Sequence, residues 1–148
     1  MEWYPHVTVA SVIEDAGRYL LVHELSDGQR VYNQPAGHLE PDESLFEAAR
    51  RETLEETAWE VRLTQFLGVC LYRSPHNGIT YVRNTFSAVP LRHHPHRPLD
   101  AGIEAAVWLT YEEILQRRDQ LRSPIVLQAI DAHRAGRHYP LDLVHDHR

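Results

Sequence analysis

The stretch GHLEPDESLFEAARRETLEETAW, residues 37–59, contains the features that decide the fold. Ser44 is a good helix cap, and the residues that follow it up to Thr57 include no proline or glycine, so we predict a helix over 45–57. The acidic residues just before the helix suit the positive end of its dipole. Spacing at i, i+3 and i+4 then places three carboxylates on one helix face, those of Glu52, Glu55 and Glu56.

Three anions on one helix face repel each other unless a cation lies among them. Hard divalent cations such as Mg²⁺ or Mn²⁺ prefer oxygen ligands, so the spacing of Glu52, Glu55 and Glu56 predicts a metal site. Glu43 and Arg51 are eight residues apart, about two helical turns, and we expect the acid to hold the arginine as a structural brace. A solvated acidic face is the alternative explanation for the three glutamates alone.

The whole segment resembles the Nudix box, G-x5-E-x7-R-E-U-x-E-E-x-G-U, where U is aliphatic or aromatic. The residues that match it are Gly37, Glu43, Arg51, Glu52, Glu55, Glu56 and Trp59. Thr53 replaces an aliphatic residue. Ala58 replaces the glycine that usually ends the helix, and because alanine tolerates left-handed backbone poorly we expect strain there. The resemblance implies the Nudix fold and hydrolysis of a nucleoside diphosphate linked to another group.

The rest of the chain predicts strands on both sides of this helix. Runs rich in β-branched and aromatic residues indicate strands over 6–13, 18–25, 61–73, 79–91 and 105–109. Proline and glycine limit 31–39 to a short extended piece that leads into a loop, and 92–98 is a loop. Turns are predicted at 14–17 and at Asn77-Gly78.

Two further helices follow the last strand. Thr110 caps a helix over 111–115, with Glu113 at the capping-box position, and another helix begins near Ser123-Pro124 and runs toward Gly136. No repeat or low-complexity linker divides the sequence, so we read residues 1–148 as a single domain. The expected architecture is an α/β/α sandwich with a mixed β-sheet, to which the box contributes a loop-helix-loop segment.

Composition restricts the function classes. The chain has 148 residues, 43% of them hydrophobic, and a formal charge of −6, so no basic surface for nucleic acid is indicated. The single cysteine, Cys70, lies in an apolar run and excludes a disulfide framework. No apolar run approaches the roughly 18 residues that cross a bilayer, and residues 1–6 do not resemble a signal peptide. We expect a cytoplasmic monomer or homodimer that acts on a small molecule.

The resemblance also implies roles for individual residues in the site. Glu52, Glu55, Glu56 and the carbonyl of Gly37 are the expected ligands of Mg²⁺, with Mn²⁺ as the alternative, and Arg51 orients Glu52. The general base is expected to be Glu55 or a carboxylate on a distant loop. Among the loop carboxylates Glu104 is the first candidate and Asp100 the second, and an ordinary exposed acid is the alternative for either.

Residues outside the box narrow the expected substrate. The segments 5–10, 33–40, 121–124 and 137–141 resemble Nudix members that release orthophosphate from nucleoside di- and triphosphates, thiamine pyrophosphate or its hydroxymethylpyrimidine pyrophosphate precursor. Pyrophosphohydrolases of nucleoside triphosphates, ADP-ribose or RNA are the alternatives. A Nudix sensor that binds nucleotide without hydrolysis is a further one, and intact Glu52, Glu55 and Glu56 argue against it. An isomerase with a catalytic cysteine is a poor match to Cys70.

A ring linked to a pyrophosphate needs a flat wall, hydrogen-bonding groups and cations. We expect Tyr32 to stack on the ring, Gln34 to read its edge, and Arg83 or Arg122 to meet phosphate oxygens. Packing or solvent exposure is the alternative for each of them. Further candidates for the same roles are Trp3, Asn33 and Arg73, with His38 beside the metal. The histidine groups at 93–96 and 145–147 lie in proline-broken or terminal segments, which do not suit structural zinc.

Overall fold

The computed structural model describes residues 2–148. Its strands are β1 His6–Asp15, β2 Arg18–Ser26, β3 Gln29–Asn33, β4 Ala36–His38, β5 Trp59–Arg73, β6 Thr80–His93 and β7 Ile103–Thr110. Its α-helices are α1 Leu45–Thr57, α2 Tyr111–Gln116 and α3 Pro124–Arg134, and short 3-10 turns occupy Arg118–Gln120 and Leu141–Leu143. The helix predicted over 45–57 is confirmed at both ends. The loop predicted from 92 begins later, because β6 stays paired with β5 as far as His93.

β1 is the centre of a mixed sheet. It runs parallel to β6 and antiparallel to β2 and β4. β5 pairs with β6 at one edge of the sheet. On the other side of β1, β2 pairs with β3 and with β7. Successive side chains of a strand point to opposite faces. Val9 and Ile13 therefore meet α1 through Ala48 and Ala49, while Val12 packs with Ile114 of α2 and Ile130 of α3. Helices cover both faces, which confirms the predicted α/β/α sandwich.

The start of α1 is fixed by its cap. The Ser44 hydroxyl accepts the Glu47 N–H at 3.0 Å, and the Glu47 carboxylate accepts the Ser44 N–H at 2.9 Å. This reciprocal pair satisfies two backbone donors that have no partner inside the helix. Thr110 and Glu113 form the same capping box at α2, as the sequence predicts.

The two departures from the Nudix pattern have separate structural explanations. Ala58 ends α1 in left-handed backbone, with φ of 62°, so the predicted strain is present. Thr53 is fully buried, and its hydroxyl donates to the Ala49 carbonyl at 2.8 Å. Because this polar group is satisfied within the helix, a threonine can occupy a position that is aliphatic in the pattern.

The loop before α1 is tied to β1. β4 places Gly37 opposite Val9, the Ser11 N–H donates to the Pro35 carbonyl, and the Leu39 N–H donates to the Val7 carbonyl, both at 3.1 Å. These bonds hold the loop over the side of α1 that carries the glutamates. Among residues 2–148, no helix is long and apolar enough to cross a membrane.

Candidate active site

Three carboxylates from two parts of the chain meet beside α1. Glu52 and Glu55 of α1 and Asp100 of the β6–β7 connection each offer an oxygen within 4.8 Å of the others. The Asp100 N–H donates to the Glu55 carbonyl at 3.0 Å, so the loop is anchored to the last turn of the helix. An all-oxygen group of this kind suits a hard divalent cation.

Glu104 lies outside this group. Its two carboxylate oxygens accept the Nε–H of Arg30 at 2.8 Å, and 39% of its side chain is exposed. Of the two loop carboxylates that the sequence proposes as a general base, the structure places Asp100 with Glu52 and Glu55, and it places Glu104 in a surface ion pair.

Glu56 is the most enclosed acid of the site. Its carboxylate accepts the Ala36 N–H at 2.9 Å. Burial raises the pKa of Glu56 to about 8, and the negative charges of Glu24, Glu52 and Asp100 also raise it. Burial likewise raises the pKa of Glu52, against the opposing effect of Arg51. Ionising these enclosed carboxylates is costly, and a bound divalent cation would offset that cost.

Arg51 joins the carboxylates to the loop. Its Nε and Nη2 donate to the two oxygens of Glu43 at 2.9 and 2.7 Å, and its Nη1 donates to Glu52 at 2.7 Å and to Glu55 at 3.0 Å. Nη2 also donates to the His38 carbonyl at 3.0 Å. The bidentate pair with Glu43 lowers the pKa of that acid, and the charged hydrogen bonds raise the pKa of Arg51. One guanidinium therefore fixes the orientation of two clustered glutamates.

Glycine at position 37 leaves room for the Glu52 carboxylate, which lies against the backbone there. A Cβ built on it would lie 2.1 Å from the Cδ of Glu52 and 2.3 and 2.4 Å from its oxygens. The backbone of β4 therefore touches the Glu52 carboxylate directly. No side chain larger than hydrogen fits at Gly37 unless Glu52 moves.

A cavity of about 250 Å³ adjoins the carboxylates, and residues 36–38 form part of its wall. Acidic, amide, cationic and aromatic side chains line much of the rest of it, among them Glu24, Asn33, Tyr72, Tyr81, Arg83 and Arg122. A larger groove of about 740 Å³ lies near the N-terminal end of α1, between Phe46 and Val144, and its lining does not include residues 36–38, whose backbone contacts Glu52 and Glu56. The smaller cavity is the one that a ligand of the carboxylate site would reach.

Arg83 lies at this cavity and is 8% exposed. Its Nη2 donates to Gln34 at 2.6 Å and to Asn33 at 3.4 Å, and its buried Nε has no partner within residues 2–148. Burial lowers the pKa of Arg83 to about 10, so it is still a cation at neutral pH. Gln34 is fully buried and also donates to the Val126 carbonyl at 2.7 Å. Its amide therefore positions Arg83, and it does not line the cavity.

The other substrate candidates differ in position. Arg122 lines the cavity, whereas Tyr32 stacks on His23 with ring centroids 4.3 Å apart, outside the cavity wall. Trp3 is 74% exposed. His38 lines the cavity and contacts His6 through ring nitrogens 2.9 Å apart.

The sequence reasoning did not identify Glu24, Tyr72 or Tyr81. The two tyrosines are directly opposite each other in the β5–β6 pairing, and the predicted turn at Asn77-Gly78 already brings them near one another. Glu24 has no local signal of this kind. Its position depends on the pairing of β2 with β3 on one side and with β7 on the other.

Comparisons with known proteins agree with this geometry. The family model described as NUDIX domain matches residues 4–129. The chain is 39% identical over 142 residues to phosphatase NudJ of Escherichia coli strain K12, covering 96% of this chain and 92% of NudJ. A NUDIX hydrolase from Nitrosomonas europaea has a TM-score of 0.95 at 43% identity, over 97% of this chain and 98% of that one. The NUDIX domain of Shewanella oneidensis NrtR, solved with ADP ribose, shares the fold, with a TM-score of 0.75 at 20% identity over 91% and 90% of the two chains. The chain therefore belongs to the Nudix hydrolase family.

Proposed function

We propose that residues 1–148 form one Mg²⁺-dependent Nudix domain that hydrolyses phosphoanhydride bonds in nucleoside di- and triphosphates or thiamine-related pyrophosphates and releases orthophosphate. The observation that carries the proposal is the group of Glu52, Glu55 and Asp100, with oxygens within 4.8 Å of each other. The half-buried Glu56 lies outside this group, but it is near enough for the charges of Glu52 and Asp100 to raise its pKa. The likeness to a relative named a phosphatase supports release of orthophosphate. A cytoplasmic location and a monomeric or homodimeric state stay predictions.

The donor set fits the proposed cation. Glu52, Glu55 and Glu56 would hold it, together with the carbonyl of Gly37, and all of these donors are oxygens. When bound, such a cation neutralises phosphate oxygens and makes an attacking water more acidic. Mn²⁺ accepts the same ligands and is the alternative.

Other side chains would orient the ligands, accept a proton from water and bind the phosphates. Arg51 holds Glu52 and Glu55 in place through its hydrogen bonds, so little reorganisation is needed during the reaction. Asp100 is exposed and reaches the group from a loop, so it is well placed to accept a proton from water, and Glu55 is the alternative base. Arg122 and Arg83 place positive charge at the adjoining cavity, where phosphate oxygens of the substrate need it.

A substrate panel tests this proposal. Nucleoside di- and triphosphates, ADP-ribose, thiamine pyrophosphate and hydroxymethylpyrimidine pyrophosphate are incubated with Mg²⁺ or with chelator, and orthophosphate and pyrophosphate are measured separately. We expect Mg²⁺-dependent orthophosphate from at least one di- or triphosphate or thiamine-related compound. Glu52→Gln is the matched control, because it removes one clustered charge and keeps the side-chain volume.

Other outcomes assign the protein to the alternatives. Pyrophosphate together with a mononucleotide would replace the proposal with a house-cleaning pyrophosphohydrolase. Cleavage of ADP-ribose alone would assign the protein to the ADP-ribose pyrophosphohydrolases. Tight nucleotide binding with no product from any compound would indicate a sensor.

A further inference from the structure

Glu24 is a half-buried acid that the catalytic arrangement does not use. It lies on β2 and lines the cavity beside the carboxylates, and it forms no ion pair within 4 Å among the residues that the structure describes. The β2–β7 pairing is irregular between His23 and Glu24. Bulges of this kind redirect a side chain and occur frequently next to active sites. The chain thus directs an acid without an ion pair into the wall of the cavity, with the Asn33 amide as its neighbour.

The surroundings of Glu24 favour one kind of ligand edge. Burial raises the pKa of Glu24, and Asn33, Arg122 and Arg83 oppose this effect. The ionised acid is a hydrogen-bond acceptor, whereas the neighbouring Asn33 amide offers N–H donors and the two arginines are left for the phosphates. An acceptor next to donors complements a heterocycle that carries an amino group beside a ring nitrogen or carbonyl. A ring with a keto group and a ring N–H presents the opposite pattern.

The shape of the cavity supports the same ligand. Tyr72 and Tyr81 are cross-strand neighbours in its wall and offer aromatic surface for a flat ring. Its volume of about 250 Å³ lies below the range of about 300–1,000 Å³ that drug-sized ligands occupy, so a small ring fits better than a large conjugate.

The cavity and the carboxylate site share residues of β4. The Ala36 N–H binds Glu56 and the Gly37 backbone touches Glu52, and both residues also line the cavity. A substrate whose phosphates lie at the carboxylates can therefore place its organic group against Glu24. We propose, on the basis of the phosphoanhydride hydrolysis inferred above, that Glu24 is a specificity-determining residue that accepts a hydrogen bond from an amino group on the substrate ring.

Matched nucleotides that differ only at this edge test the assignment. CTP and UTP form one pair and ATP and ITP the other, and kcat/KM is measured for each with Mg²⁺. A charge-assisted hydrogen bond corresponds to a preference for the amino member of about tenfold to a hundredfold. Glu24→Gln keeps the size of the side chain and adds a donor, so the preference should fall to near unity or reverse. Glu112→Gln, an exposed change on α2, is the control and should leave both ratios unchanged.

Two results would overturn the assignment. The first is an unchanged amino-to-keto ratio in Glu24→Gln. The second is an equal loss of turnover on all four nucleotides, which would place Glu24 in the chemistry or on the phosphates, and not on the ring. A thermal melt of each variant shows that the fold is retained.

Failure of the proposed hydrolysis would be distinguishable from failure of this inference. If the wild type releases no product from any nucleotide, calorimetric binding of CMP and UMP replaces turnover. The wild type should bind CMP more tightly, and Glu24→Gln should remove the difference. Equal affinities in the wild type would reject the role of Glu24 whether or not the protein is a hydrolase.

Discussion

Replacement of Gly37 by alanine is the most direct test of the carboxylate geometry. The added Cβ would lie 2.1 Å from the Cδ of Glu52, whereas carbon atoms in contact are about 3.5 Å apart. The Glu52 carboxylate must therefore retreat by about 1.4 Å, or β4 must shift by a similar distance. Arg51 holds the same carboxylate at 2.7 Å, so the displacement also disturbs the hydrogen bonds that align Glu55.

Misplacement of a catalytic group by about 1 Å costs on the order of a hundredfold in rate. We therefore expect Gly37→Ala to lower kcat for orthophosphate release by at least about a hundredfold. The assay uses saturating Mg²⁺ and the best substrate of the panel, with a thermal melt to confirm that the variant is folded. The affinity for Mg²⁺, followed by the shift of Tm with metal concentration, should weaken as well.

Gly17→Ala is the matched control for this change. Gly17 lies between β1 and β2 with φ of 80°, and a Cβ there meets no atom within 4 Å. The substitution strains the backbone by about 1 kcal/mol, which should lower Tm while kcat stays normal. Turnover of Gly37→Ala within threefold of the wild type would refute the reasoning, because Glu52 would then be free to move without loss of function.

Three further predictions concern the box and its loop. Glu56→Gln should lower turnover by about a hundredfold or more with the fold intact. The amide oxygen still accepts the Ala36 N–H, but it carries no charge for the metal. Near-normal turnover would reject Glu56 as a ligand. Asp100→Asn should reduce kcat by about a hundredfold or more, whereas Glu104→Gln should reduce it by less than about threefold. If the phosphate-release assay gives the reverse order, Glu104 is the base. Ala58→Gly should raise Tm by about 2–4 °C. Glycine relieves left-handed strain of about 1–2 kcal/mol and costs about 0.5–1 kcal/mol in chain entropy, so the net effect is stabilising. A lower Tm in calorimetry would contradict this prediction.

The sequence predicted best where the determinants are local. The start of α1 follows from the Ser44 cap and from the run without proline or glycine after it, and the clustering of Glu52 with Glu55 follows from helical spacing. The strained end at Ala58 follows from the resemblance to the Nudix box, whose pattern has a glycine at this position. Each of these features depends on residues fewer than about four positions apart.

The loop carboxylates show where such reasoning ends. Asp100 and Glu104 are close in sequence, and both precede or begin β7, so nothing local separates them. Asp100 joins the site because its backbone N–H donates to the end of α1, and Glu104 is held away because it forms an ion pair with Arg30 of β3. Both causes are contacts between distant segments. They appear only when the pairing of β2 with β3 and β7 is known.

Gln34 shows that nearness to the box in sequence does not mean nearness to substrate. β3 ends at Asn33, and the next side chain turns inward, where its oxygen accepts from Arg83 and its nitrogen donates to Val126 at the start of α3. A buried guanidinium with few partners needs such an acceptor, because desolvating its charge is costly. The buried Gln34 amide thereby holds the Arg83 guanidinium at the edge of the cavity. Gln34 thus affects substrate recognition through Arg83, while the residues left to read the ring are those of the cavity wall, Glu24 and Asn33 among them.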